Sequence, residues 1–410
     1  MSACGCDSHG LRPVDEAIAA LLERAPGLPA VESVPLAEAL GRVLAEDLRA
    51  RFDVPAWDNS AMDGYALRAA EVSPDGGWLP LAGRIAAGDA GRETLPPGHA
   101  VRIFTGAPLP PGADTVVAQE HCRSEAGRVW LPALEVGANV RRRAEELSAG
   151  TPVLLAGQRL RPQELGVLAS FGVARVAVYR RLRVGLLSSG DELREPGEEL
   201  APGQLYNANR YSLLGVLRSL GLEVCDYDIV ADDLPATREA LSRAAADNDV
   251  LVTSGGVSVG EEDHFKQAVR ELGELHLWRL AIQPGKPLAF GEVQGTPWVG
   301  LPGNPAAALI TALIVARPFL LRAQGCGEVL PQALRLSAGF AWRKPNSRRQ
   351  YLRARLETRD GELRVCLHPR QGSAMLTSAC WADGLALVDC GRTLDEGDVV
   401  DYLPFSTLLG

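Results

Sequence analysis

Residues 250–265 read VLVTSGGVSVGEEDHF. The first four are apolar or β-branched, the composition of a strand buried on both faces. Gly255, Gly256 and Gly260 follow, with Ser254 and Ser258 among them, and then Glu261, Glu262 and Asp263. Such a strand running into bare backbone and carboxylates marks the edge of a parallel sheet. Neighbouring segments agree. VGLLSS, EVCDYDIV and TPWVG read as buried strands, while ANRYSLLGVLRSLG, LPATREALSRAA and DHFKQAVRELG have helical spacing. The alternation over 181–329 is that of a doubly wound, mostly parallel α/β domain.

Ligands of such sheets bind beyond the carboxyl ends of the strands. The segments found there are informative. Asp191 and Glu192 follow VGLLSS, and Asp232 and Asp233 follow DYDIV. Gly255 to Asp263 follow VLVTS, QPGKP with Lys286 follows HLWRLAI, and LPGNP follows TPWVG. Glycines let backbone N–H groups approach an anion closely. Carboxylates beside a phosphate repel it unless a divalent cation bridges the two, as Mg²⁺ does. The combination points to a nucleotide or pyrophosphate bound with Mg²⁺. Asn304 reads as an N-cap and Pro305 as the first residue of a long apolar helix.

Working outward, residues 13–24 and 36–49 have the apolar spacing of amphipathic helices, and 160–172 returns to it. Between them, 51–146 is rich in Gly and Pro with short β-type runs such as AVRIF and DTVVAQE. This predicts a discontinuous helical region (1–50 plus 147–180) carrying an inserted β domain (51–146). Beyond 330 the helical pattern stops and short strands with turns predict a small β-barrel over 330–410.

Composition narrows the class. A net charge of -9 over 410 residues argues against a general nucleic-acid binder. No run of about 18 apolar residues is evident, so no membrane span is expected. MSACGCDSHG lacks a secretory pattern, and eight scattered cysteines read as free thiols, so a cytoplasmic protein is expected. Of 42 basic residues only Lys266, Lys286 and Lys344 are lysines, and two of these lie near the segments above.

DNSAMDGYA (58–66), FTGAPLPPGADTVVAQE (104–120), NVRRRAEE (139–146), SSGDEL (188–193), SGGVSVGEED (254–263), PGKP (284–287) and LPGNP (301–305) occur in this order. Together they resemble the molybdopterin molybdenumtransferase family, the MoeA type related to the gephyrin E domain. The likeness runs over essentially the whole chain. It implies insertion of molybdate into adenylylated molybdopterin, with Mg²⁺ and release of AMP, by an elongated homodimer whose cleft is shared between subunits. An adenylyltransferase and molybdoenzyme acceptors are the implied protein partners.

By the same resemblance Asp232 and Asp263 would hold Mg²⁺. Asp191 and Glu192 would shape the pocket or assist proton transfer. Ser254, Gly255, Gly256 and Ser258, with Pro302, Gly303, Asn304 and Pro305, would line the substrate. Lys286 would attract molybdate or a phosphate. Asp58 and Thr105 would act across the dimer cleft, and Arg348, Arg353 and Ser373 would contact molybdate. Two positions depart from the family pattern. Gln283 stands where many relatives have lysine, and Glu146 where an aspartate is common. The first raises the expectation that this chain binds molybdate more weakly, prefers another oxyanion, or draws the charge from an arginine. Two rival readings are a molybdopterin adenylyltransferase, which needs only the α/β domain, and a non-catalytic gephyrin-like scaffold.

Overall fold

The structure, a computed structural model, describes residues 11–91, 93–255 and 264–409. Its centre is the α/β domain. In chain order this holds β1 (Arg183–Ser189), α1 (Ala208–Ser219), β2 (Glu223–Val230), α2 (Leu234–Asp247), β3 (Val250–Ser254), α3 (His264–Leu272), β4 (Gly273–Arg279), β5 (Pro287–Val293) and β6 (Thr296–Leu301). The strands lie in the order β2-β1-β3-β6-β5-β4. The first four are parallel, and β5 runs antiparallel to both β6 and β4.

Every residue of β3 is buried, as an apolar strand covered on both faces must be. On one face Leu213, Val216 and Leu217 of α1 pack with Val184, Leu186 and Val252. On the other, Leu241 of α2 and Phe265 and Val269 of α3 pack with Leu187, Leu251 and Trp298. Side-chain caps fix two helix starts. Asn207 accepts from the Arg210 amide at 3.2 Å and Asp233 from the Ala236 amide at 2.8 Å.

The long apolar helix expected from Pro305 is Pro305–Ala323, and it corrects the reading that no apolar run of about 18 residues exists. Its apolar window has a mean hydropathy of 1.7, enough by length and composition to cross a membrane, yet 89% of that window is buried inside the protein. It is a core helix, with Ile310, Leu313 and Phe319 in the same cluster as α1.

The amphipathic helix expected at the N-terminus is Val14–Leu22, and its buried face joins the α/β core beside Arg317–Ala323. Residues 36–49 differ from expectation. They form a 3₁₀ turn at Leu36–Glu38 and the strand Leu48–Arg49, which pairs with Pro152–Leu154. Strand pairing and a shared core with helix Pro162–Ser170 override the local spacing: Ala39 and Leu44 meet Leu168 and Phe171 there. The inserted region holds a six-stranded sheet built from Gly64–Leu67, Gly77–Ile85, Ala100–Ile103, Thr115–Ala118, Arg123–Glu125 and Arg128–Leu131.

Near the C-terminus, Leu334–Ala338, Arg349–Arg359, Glu362–Leu367, Gly384–Val388 and Val399–Pro404 close on themselves as a barrel. The strand Ile282–Gln283 leaves the α/β region and pairs with Arg349 and Gln350, so the two domains share a seam. Helices do not stop at 330 as expected: Leu376–Trp381 and Phe405–Leu409 cap the barrel. The six described cysteines are free thiols.

Candidate functional site

Because β1, β3 and β6 are parallel, their carboxyl ends share one edge. The antiparallel turn from β4 brings the start of β5 to that edge, Arg279 lying opposite Pro287. A cleft of about 990 Å³ opens there. Glu192, Asp232, Gly255 and Lys286 line it from four segments of the α/β domain. Pro302, Gly303, Asn304 and Pro305 line it from the start of the core helix. Arg348 and Ser373 reach it from the barrel. Ten of the residues singled out in the sequence therefore meet in one cleft. Asp191 is exposed beside it, and Gly256, Ser258 and Asp263 lie outside the described residues.

Local geometry separates residues that the sequence left equivalent. Asp233 caps α2, whereas Asp232 lines the cleft and accepts from the Ser189 hydroxyl at 3.0 Å. Asn304 occupies the N-cap position but makes no side-chain capping bond, and it lines the cleft. Ser373 is tethered from behind, its carbonyl accepting from the Ala307 amide at 3.1 Å. Ser254 is buried beneath the cleft and its hydroxyl accepts from Asn209 at 2.8 Å.

Asn209 is a residue that sequence reasoning missed. Its amide also donates to the Gly303 carbonyl at 2.7 Å, so one side chain clamps the ends of β3 and β6 together. Its Oδ1 is buried without a partner among the described residues. The available signal was the pair of asparagines in YNANR, one of which capping alone explains.

Arg353 is corrected. The expectation set it against the ligand, but it is fully buried in the barrel and does not line the cleft. Its Nε donates to Ser378 Oγ and its Nη2 to the Gly372 carbonyl, both at 3.0 Å, so it braces the loop that carries Ser373. Burial pushes its pKa down to about 10, still above neutrality. Arg349 and Arg348 also differ. Arg349 is neutralised by Asp15 and Asp389, both at 2.8 Å. Arg348 has no ion pair among the described residues and lines the cleft. An uncompensated guanidinium beside backbone N–H groups favours an anion.

Asp58 and Thr105 do not line this cleft. Asp58 accepts from the Arg143 amide at 2.8 Å and the Arg142 guanidinium at 2.7 Å. Arg142 thus pairs with Asp58 and Arg143 with Asp53. Thr105 donates both its amide and its hydroxyl to Asp63 at 2.8 Å. These bonds hold the carboxyls below the usual range: Asp58 chiefly through the Arg143 amide, Asp63 chiefly through that of Thr105. A lowered carboxyl pKa contributes stability that is complete above about pH 3.9 and is lost as pH falls through the depressed value. In a carboxyl-carbon NMR titration Asp58 is expected to titrate below about 3.9. Arg142→Ala should raise that midpoint yet leave it below the usual range, because the Arg143 amide remains. A normal midpoint in the wild type would remove the bonding scheme.

Among the described residues no group of three His, Cys, Asp or Glu is placed to hold a metal. Asp232, a carboxylate on the cleft wall, fits the sparse carboxylate requirement of Mg²⁺, which takes its remaining ligands from water and phosphate oxygens.

Three family models match the chain in order. They are the MoeA N-terminal region, domains I and II, over 12–172, the probable molybdopterin binding domain over 185–322, and the MoeA C-terminal region, domain IV, over 335–405. A molybdopterin molybdenumtransferase of Haemophilus influenzae is 36% identical over 402 residues, covering 97% of this chain and 99% of that protein. One from Nostoc sp. is 40% identical over 306 residues, covering 72% of this chain and 70% of that protein. A crystal structure of the molybdopterin biosynthesis moeA protein from Pyrococcus horikoshii OT3 superposes with a TM-score of 0.82 at 27% identity, covering 96% of this chain and 100% of that one. The fold and the cleft define a multidomain protein built around an α/β domain that the probable molybdopterin binding domain model matches. The chain belongs to the molybdopterin molybdenumtransferase family.

Proposed function

We propose that this chain inserts molybdate into adenylylated molybdopterin and releases AMP, giving molybdenum cofactor. The observation that carries the reading is the single cleft at the carboxyl edge of the sheet, where Asp232, Lys286 and the uncompensated Arg348 converge on bare backbone. The dithiolene sulfurs take the metal, and water cleaves the pyrophosphate bond to AMP. Lys286 from the α/β domain and Arg348 from the barrel attract the two anions, molybdate and pyrophosphate. Asn209 keeps the ends of β3 and β6 at a fixed spacing beneath them. Glu192 lines the wall after β1 and is the carboxylate available there to move a proton. Mg²⁺ would be held by Asp232, with Asp263 as a second carboxylate, and would neutralise charge on the pyrophosphate oxygens. The barrel favours this reading over an adenylyltransferase, which needs only the α/β domain: Arg348 and Ser373 form part of the cleft and come from outside that domain.

The working unit in this proposal is a homodimer. Asp58 and Thr105 stand away from the cleft of their own chain, and Trp57 and Met62 beside Asp58 are exposed apolar side chains. A second copy would bring that motif to the cleft. Cytoplasmic residence fits the free thiols. The test is anaerobic AMP release from adenylylated molybdopterin with Mg²⁺, with and without molybdate, and with tungstate in parallel. Molybdate-dependent AMP release is expected. A folded protein that releases no AMP with either oxyanion overturns the proposal.

A further inference from the structure

Gln283 lines the cleft where β4 turns toward β5, and its side chain is held in a chain of amides whose orientation is fixed at both ends. At one end the Trp342 indole, which only donates, bonds Gln350 Oε1 at 2.8 Å. The Gln350 amide nitrogen must then face outward, and it lies 3.5 Å from Gln283 Oε1. At the other end the Arg348 backbone amide, also a pure donor, bonds Asn346 Oδ1 at 3.0 Å. Asn346 Nδ2 therefore donates, at 2.6 Å, to the same Gln283 oxygen. The Asn346 carbonyl is occupied as well, accepting from the Gly391 amide at 2.7 Å. Gln350 is buried.

We infer that Gln283, Gln350 and Asn346 form a neutral amide latch that positions Arg348, the arginine that the family resemblance sets against molybdate. This rests on the transferase reading of the cleft. Gln283 has its oxygen engaged by two donors, so what it has left for the cleft is an uncharged NH₂. Its neighbour in the seam, Arg349, is already neutralised by Asp15 and Asp389. Arg348 is the guanidinium left to meet an anion, and its backbone is pinned by Asn346. Lysine at 283 would have no acceptor for Asn346 or Gln350. Gln283→Lys should therefore fail to tighten molybdate binding, although it adds a positive charge at the cleft wall.

The experiment is molybdate titration of the full chain, with molybdate itself as the probe and adenylylated molybdopterin present. Wild type, Arg348→Ala, Asn346→Ala, the double variant, Gln283→Met and Gln283→Lys are compared, each checked for an unchanged melting temperature. Losing a charge-assisted contact corresponds to weakening by roughly 10- to 100-fold for Arg348→Ala. Asn346→Ala and Gln283→Met should each weaken binding by several-fold. The double variant should bind no worse than Arg348→Ala alone, because the latch acts only through that arginine. Additive losses overturn the latch and leave the transferase reading intact. Tighter binding by Gln283→Lys also overturns it. Wild type that binds no molybdate overturns the oxyanion reading, and the latch with it.

Discussion

Gly285→Ala should lower molybdate-dependent AMP release by about 100-fold or more while the protein stays folded. Gly285 sits between Gln283 and Lys286 on the cleft wall with φ at +115°, a conformation that side-chain-bearing residues rarely adopt. An added Cβ would also collide with Thr311 Oγ1. Thr311 is fully buried in the core helix, between Ile310 and Ala312, and has little room to yield. The loop must move instead. Backbone strain of this kind costs on the order of 1–3 kcal/mol, which the large two-sided core absorbs. The displaced residue is Lys286, and a shift of about 1 Å in a positioning group costs roughly 100-fold in rate. Thr311→Ala in the Gly285→Ala background should restore part of the activity, since it removes the collision but not the strained φ. AMP release and thermal melting, measured on both variants, decide the matter. Full turnover by Gly285→Ala would mean that the PGK loop does not set the position of Lys286.

The sequence made this loop legible for a physical reason. A strand covered on both faces must be apolar throughout, so β3 and its neighbours announce themselves, and polar residues can accumulate only where each strand ends. Asp232, Gly255, Lys286 and Asn304 were found that way. What the pattern did not carry is which surface an element covers. Val14, Ala17, Ile18 and Leu21 show that one helical face is apolar, yet nothing in their spacing says that this face joins the α/β core. Residues 36–49 have helical spacing that strand pairing overrides. Asn209 and the latch residues were invisible because their work is done by bonds to partners far along the chain: Asn209 to Gly303, Asn346 to Gln283. Arg353 is the clearest failure. An arginine in the run RQYLRARLETR reads as solvent-facing or ligand-facing. Only closure of the barrel, which pairs Arg353 with Leu385, encloses it.

That enclosure makes two substitutions at Arg353 behave differently. Arg353 is a buried cation with no carboxylate partner among the described residues, and its Nη1 makes no hydrogen bond. Burying such a charge is expensive, and an apolar side chain of similar volume is often tolerated as well or better. Arg353→Ala should destabilise the protein by about 3–5 kcal/mol, because it leaves a cavity in a closed core and removes the bonds to Ser378 and Gly372 together. Arg353→Met fills most of the space and removes the desolvated charge, so it should fall within about 1.5 kcal/mol of the wild type. Activity should not follow stability. Methionine cannot donate to the Gly372 carbonyl, so the loop that carries Ser373 loses its charged donor and keeps the Met375 amide on that carbonyl, the Gln371 bonds to the backbone of residue 353 and the Ser373 carbonyl bond to the Ala307 amide. Arg353→Met is therefore expected to melt close to the wild type yet lose about tenfold in AMP release, the size of one lost bond to a charged donor. Urea unfolding and AMP release on the same preparations test both halves. If methionine proved as damaging to stability as alanine, the guanidinium would be contributing more than its volume. If methionine kept full turnover, the Gly372–Ser373 loop would not need its brace.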